Sequence, residues 1–145
     1  MVLLSLGTNL GNKEQNLNNA IDLIISKIGN VVKKSSFYKT APVGFDSDND
    51  FVNAVIQVKT KLSVYQVLKQ TIKIEKILGR KKKSNNCIYS DRIIDIDILM
   101  YNNLIIKTKN LTLPHPRLHL REFVTKPLIE ILPCWQSIIK KMQKN

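Results

Sequence analysis

A chain of 145 residues is the size of one domain and needs no disulfide staple, since a domain of this length buries roughly 70% of the surface its unfolded chain exposes. Its formal charge of +12 directs attention to anionic ligands, phosphates above all. The lysines are scattered apart from Lys33-Lys34, Lys81 to Lys83 and Lys140-Lys141, which reads first as a solvated basic surface and is compatible with attraction of such ligands.

The opening segment MVLLSLGTNL lacks a basic leader region and is broken by Gly7 and Asn9, so neither a secretory signal nor a membrane span is expected. Residues 2–6 read as a short buried strand, followed by a turn over Gly7 to Asn12. Asn12 is a suitable N-cap for a helix whose apolar positions are Leu17, Ala20, Ile21, Ile24, Ile25 and Ile28, ended by Gly29. A strand-like stretch follows from Val31 to Thr40 and stops at Ala41-Pro42-Val43-Gly44; Phe45 to Asp50 is polar and reads as a loop. From Phe51 to Thr60 the residues alternate, placing Phe51, Asn53, Val55 and Gln57 on one strand face and Val52, Ala54, Ile56 and Val58 on the other. Ser63 caps a second helix bearing Val67, Leu68, Ile72, Ile74 and Ile77, ended by Gly79. A basic segment from Arg80 to Arg92 precedes IIDIDILMY (93–101), the strongest strand signal in the chain. A short Leu104–Ile106 strand, the Pro114-His115-Pro116 turn and one or two helices complete it.

Strand, helix, strand, strand, helix, strand is the ferredoxin-like order, which predicts an α+β fold: an antiparallel-rich sheet with two helices on one face. No repeat or linker divides the chain, so residues 1–145 are expected to form a single domain. Cys87 and Cys134 match no zinc spacing and read as two unconnected reduced thiols, consistent with a cytoplasmic protein.

Asp95 and Asp97 carry the clearest chemistry. Two apart on a strand, they share a face, while Ile94, Ile96, Ile98 and Met100 are expected to point into a core. At roughly 6–7 Å and an effective dielectric near 20, two carboxylates repel by about 2–3 kcal/mol. A divalent cation removes that cost, and oxygen ligands suit Mg²⁺. An acidic outer strand face is the plain alternative. Arginine occurs only at positions 80, 92, 117 and 121, so Arg80 and Arg92 flanking one loop suggest bidentate phosphate binding. The Gly7–Gly11 turn lacks the full P-loop pattern and is a weak phosphate cradle by itself. Phe51, Asn53 and Phe123 together could sandwich and hydrogen-bond a flat heterocycle, although singly each reads as an ordinary core or edge residue.

Taken in order, SLGTNLGN, SSFYKTAPVGF, FVNAV, GR before the basic loop, DRIIDIDIL, LTLPHPRLHLREFV and PLIEI resemble the 6-hydroxymethyl-7,8-dihydropterin pyrophosphokinase family of folate biosynthesis, over nearly the whole chain to about Pro133. The resemblance implies a ferredoxin-like α/β/α sandwich. It implies transfer of pyrophosphate from ATP to the pterin hydroxymethyl group, releasing AMP. Asp95 and Asp97 look like ligands of two Mg²⁺ ions, with Asp97 also a candidate acceptor for the hydroxyl proton. Arg80 and Arg92 look like the arginines that close over the phosphates. Lys82, Tyr89, Arg92, Ile98, Thr112, His115 and Arg121 look like ATP contacts. Phe51 and Phe123 look like the pterin sandwich, and Asn53 with Thr40, Pro42, Val43 and Gly44 looks like its hydrogen-bonding edge. Ser90-Asp91 departs from the family pattern, which usually has Gly or Ala and then Pro before the arginine; Tyr89 replaces a common Trp. The expected partners are ATP and the pterin, with no nucleic acid, no membrane and a monomeric state.

Two rivals stand beside this reading. An RNA-binding module on the same topology would explain the charge, but the strands carry no RNP-like aromatic pattern, and Asp95 and Asp97 would repel phosphate without metal. A non-catalytic member of the same family would not need Asp95, Asp97, Arg92 and His115 together.

Overall fold

The computed structural model describes residues 1–41, 49–79 and 93–144. Among the described residues, seven strands and four α-helices follow one another in the order β1 (Val2–Thr8), α1 (Lys13–Lys27), β2 (Gly29–Lys34), β3 (Tyr38–Thr40), β4 (Phe51–Thr60), α2 (Val64–Ile77), β5 (Asp95–Tyr101), β6 (Ile106–Lys107), β7 (Thr112–Leu113), α3 (Glu122–Ile131) and α4 (Trp135–Lys144). The main sheet runs β2-β4-β1-β5, with β3 also on β4, and every pairing is antiparallel. This is the ferredoxin-like arrangement.

The caps follow the local sequence. The Asn12 side chain accepts from the Gln15 N–H, satisfying an orphan donor of α1. Ser63 and Gln66 form a reciprocal capping box at the start of α2. Gly79 follows α2 at φ +102°, a conformation that favours glycine.

Alternation along the strands divides the sheet between two cores. Val2, Leu4, Leu6, Ile56, Val58, Ile94, Ile96 and Ile98 pack with α1 and α2. Leu3, Val55, Leu99 and Met100 pack on the other face with α3 and α4. The molecule is thus an α/β/α sandwich, with each fully buried aliphatic side chain contributing about 1.5–3 kcal/mol.

Several expectations are corrected in detail. Met100 does not join Ile98: β5 carries a bulge at which Leu3 pairs with Met100 and Leu4 with Ile98, so Leu99 is an extra residue. That shift sends both Leu99 and Met100 to the α3/α4 side. The Val31–Thr40 stretch is broken into β2 and β3, because Ser35 turns its N–H to the Val55 carbonyl and its hydroxyl accepts from the Val55 N–H. β1 extends through Gly7 and Thr8 rather than ending at Leu6, and Gly29 opens β2 after α1 has ended at Lys27. Leu104 and Ile105 precede β6 and are exposed, so the strand lies later than expected. Ile25, Ile72 and Ile77 fit the helical period but lie exposed. Among the described residues no helix is long and apolar enough to cross a membrane, and Cys134 is a free, exposed thiol.

Candidate active site

The face of the sheet under α3 and α4 is apolar at one end only. Toward the C-terminal end of β1, the register aligns Tyr38, Asn53, Gly7 and Asp95 across four strands, and Val55, Ser5 and Asp97 across three. Asp95 and Asp97 therefore share this face, as their spacing predicts, and both remain partly exposed. Their neighbours Ile94, Ile96 and Ile98 are buried on the opposite face, which fixes the strand and with it the direction of the carboxylates.

Among the described residues β5 pairs with β1 alone in the main sheet, and its outer edge is held by other means. Glu75 of α2 is buried, and its carboxylate accepts the Ile96 N–H at 3.0 Å, between the two aspartates. Further along, the His115 N–H donates to the Leu99 carbonyl at 2.9 Å. This bond ties the segment after β7 to β5. His115 Nδ1 accepts from the Arg117 N–H at 3.2 Å. His115 is partly buried, and Thr112 lies in β7, which packs against β5. The Ile98 side chain is buried in the α1/α2 core, so it faces away from Asp97.

The opposite side of the site is built on β3 and β4. Asn53 is buried and its Nδ2 donates to Thr40 Oγ1 at 2.9 Å. Phe51 pairs with Thr40 one step along. Gly7 makes room for this amide: a Cβ there would stand 2.8 Å from Asn53 Oδ1. Gly7 is thus a strand glycine beneath the Asn53 amide, rather than the first residue of a turn. Asn9, fully buried, reaches the Asn49 carbonyl at 3.4 Å. Phe123, in the first turn of α3, packs partly buried on the core of this face, with the Arg121 guanidinium 5.5 Å from its ring centre.

The structure thus brings Asp95, Asp97, Asn53, Thr40 and Phe51 to one sheet end, with Phe123 in the first turn of α3, Arg121 just before that helix, and His115 and Thr112 at the β5 edge. Arg80, Lys82, Tyr89, Arg92, Pro42, Val43 and Gly44 lie outside the described residues. Sequence reasoning missed Glu75 and misread Gly7. Glu75 stands at helical spacing from Thr71 and Leu78 on the buried side of α2, and a lone carboxylate there is the signal that could have found it.

Residues 3–133 match the family model described as 7,8-dihydro-6-hydroxymethylpterin-pyrophosphokinase. The chain is 40% identical over 134 residues to the 2-amino-4-hydroxy-6-hydroxymethyldihydropteridine pyrophosphokinase of Porphyromonas gingivalis, covering 92% of this chain and 91% of that protein. The Bacillus subtilis enzyme of the same name is 38% identical over 129 residues, covering 88% of this chain and 75% of its own. Among solved structures, Plasmodium falciparum HPPK-DHPS with pteroate superposes with a TM-score of 0.76 over 97% of this chain, at 16% identity, a likeness of fold. This chain spans 44% of that longer protein. The chain belongs to the 7,8-dihydro-6-hydroxymethylpterin-pyrophosphokinase family.

Proposed function

We propose that this protein transfers the pyrophosphoryl group of ATP to the hydroxymethyl oxygen of 6-hydroxymethyl-7,8-dihydropterin, giving AMP and the pterin diphosphate for folate biosynthesis. Family membership supports the reaction. The observation that carries its location is the polar sheet end, where two carboxylates on β5 stand across β1 from the buried amide of Asn53.

In the reaction the pterin hydroxyl oxygen attacks the β-phosphorus, the bond to the α,β-bridging oxygen breaks, and AMP departs as the hydroxyl loses its proton. The chain's part is to bind and orient. Thr40 holds the Asn53 amide, whose remaining polar capacity suits the hydrogen-bonding edge of a pterin. Phe51 and Phe123 offer flat faces to the same ring. Thr112, His115 and Arg121 suit the nucleotide, and a contact at Ile98 would use its backbone, since its side chain belongs to the core. Arg80 and Arg92 would fork onto phosphate oxygens, joined by Lys82 and Tyr89.

Asp95 and Asp97 fit magnesium: two hard oxygen donors, partly exposed, fixed on one rigid strand. No cluster of three or more metal-ligating side chains occurs among the described residues. That suits a cation taking its other ligands from water and nucleotide phosphates. Two bound Mg²⁺ ions would supply charge neutralisation and alignment of the triphosphate for in-line displacement. One catalytic domain over residues 1–145, a monomeric state and a cytoplasmic location complete the reading.

The experiment is product identification. With ATP, Mg²⁺ and the hydroxymethyl dihydropterin, AMP should appear in one-to-one ratio with pterin consumed. ADP as the nucleotide product, or AMP formed without pterin, would refute the transfer of pyrophosphate.

A further inference from the structure

The joint between β2 and β3 is tied down on two sides. Ser35 stitches it to β4 through both of its bonds to Val55. On the other side, a single carboxylate at the far end of α3 gathers the next residues. Glu130 accepts the Ser36 N–H at 3.1 Å on Oε1 and 2.9 Å on Oε2, the Ser36 hydroxyl at 3.2 Å and the Tyr38 hydroxyl at 2.5 Å. Beside it, Lys33 Nζ donates to the Ile131 carbonyl at 3.3 Å. A surface carboxylate with one partner contributes little, but this one accepts a backbone N–H and two hydroxyls at once.

The elements joined by Glu130 are those that carry the proposed pterin contacts. Helix α3 bears Phe123 in its first turn, and β3 bears Thr40, which holds Asn53. Tyr38 itself pairs with Asn53 across β3 and β4. Nothing in this cluster lies at the β5 edge, where Asp95, Asp97 and His115 stand. We infer that Glu130 is a positioning residue for the pterin subsite: its carboxylate fixes α3 to β3 and so sets the separation of Phe123 from the Phe51–Asn53 strand. The inference rests on the proposed pterin contacts.

Removing the carboxylate should therefore loosen one substrate and not the other. Steady-state kinetics with each substrate varied would compare Glu130→Ala, Glu130→Gln, Tyr38→Phe, Asn53→Ala and a control, Glu122→Ala, on the same helix but outside the cluster. The expected result is a pterin KM raised about tenfold in Glu130→Ala. The ATP KM and kcat should stay within about twofold, with a smaller pterin effect in Glu130→Gln and Tyr38→Phe and none in Glu122→Ala. If Glu130→Ala does not fold, the same split in Glu130→Gln and Tyr38→Phe decides. Should Asn53→Ala raise the pterin KM while the Glu130 and Tyr38 variants leave it unchanged, or raise both KM values alike, the positioning role is wrong and the subsite stands. An unchanged pterin KM in Asn53→Ala would bring down the subsite and this inference with it.

Discussion

At the scale of single residues, the proposed pterin side depends on what stands beneath and above one buried amide. Gly7 has no Cβ, and one added there would meet Asn53 Oδ1 at 2.8 Å, tighter than real side chains tolerate. Gly7→Ala should push the Asn53 side chain off its Thr40 bond and weaken the pterin more than ATP; isothermal titration with each ligand would show it, and equal affinities to the wild type would contradict it. Phe123→Ala tests the covering face. Stacking of a ring on an aromatic side chain is worth roughly 1–3 kcal/mol, so pterin affinity should fall about tenfold or more while ATP affinity changes little. Equal losses for the two ligands would count against the sandwich.

At the scale of elements, two carboxylates supply bonds that the strand pairing does not, Glu75 to the β5 edge and Glu130 to the joint before β3. Glu75 gives the edge of β5 an acceptor for the Ile96 N–H, and Glu75→Leu strands that donor in the interior. The cost expected for an unsatisfied buried group is about 1–3 kcal/mol, read as a lower denaturation midpoint. Glu75→Gln keeps an acceptor and should lose less; identical midpoints for Glu75→Leu and the wild type would show that β5 does not need the bond. Glu130 gives a pH signature instead. Donation by Tyr38, then by the Ser36 backbone, holds its carboxyl below the usual 4.5. A depressed carboxyl stabilises the fold above its unfolded value and loses that contribution as pH falls through the folded one. The same bond raises the Tyr38 hydroxyl above 10.0, so its share is present below that value and lost as pH rises through the folded one. Between about pH 5 and 9 the clamp is intact. Acid unfolding should begin at higher pH in Tyr38→Phe than in the wild type, and coincident acid transitions would contradict the clamp.

At the scale of the whole molecule, what repeats with a period was legible and what depends on an irregularity was not. The alternation of Phe51 to Thr60 and of Ile94 to Ile98 was enough to assign both faces of β4 and β5, and with the helix caps at Asn12 and Ser63 it marked out the ferredoxin-like succession of elements along the chain. The bulge at Leu99 was hidden, because Leu and Met satisfy either core and nothing in their chemistry marks an extra residue. The break between β2 and β3 was hidden for a related reason: Ser35 and Ser36 read as strand residues until Val55 and Glu130 are seen to claim them. In the site, Asp95 and Asp97 were visible because aspartate is so poor in a strand. Glu75 was masked by its helix, where glutamate is ordinary.

If the Asp95–Asp97 face of β5 is the reaction centre and works with magnesium, both carboxylates are needed for turnover. The most direct measurement is the initial rate of pterin-dependent AMP release against Mg²⁺ concentration for the wild type, Asp95→Asn and Asp97→Asn, with melting temperatures taken alongside. Activity should rise with Mg²⁺ in the wild type and fall at least roughly a hundredfold, about 2.7 kcal/mol, in either variant at saturating Mg²⁺. The melting temperatures should be equal to or slightly above that of the wild type. Near wild-type rates in either variant, or full wild-type activity in the presence of a strong chelator, would contradict that role.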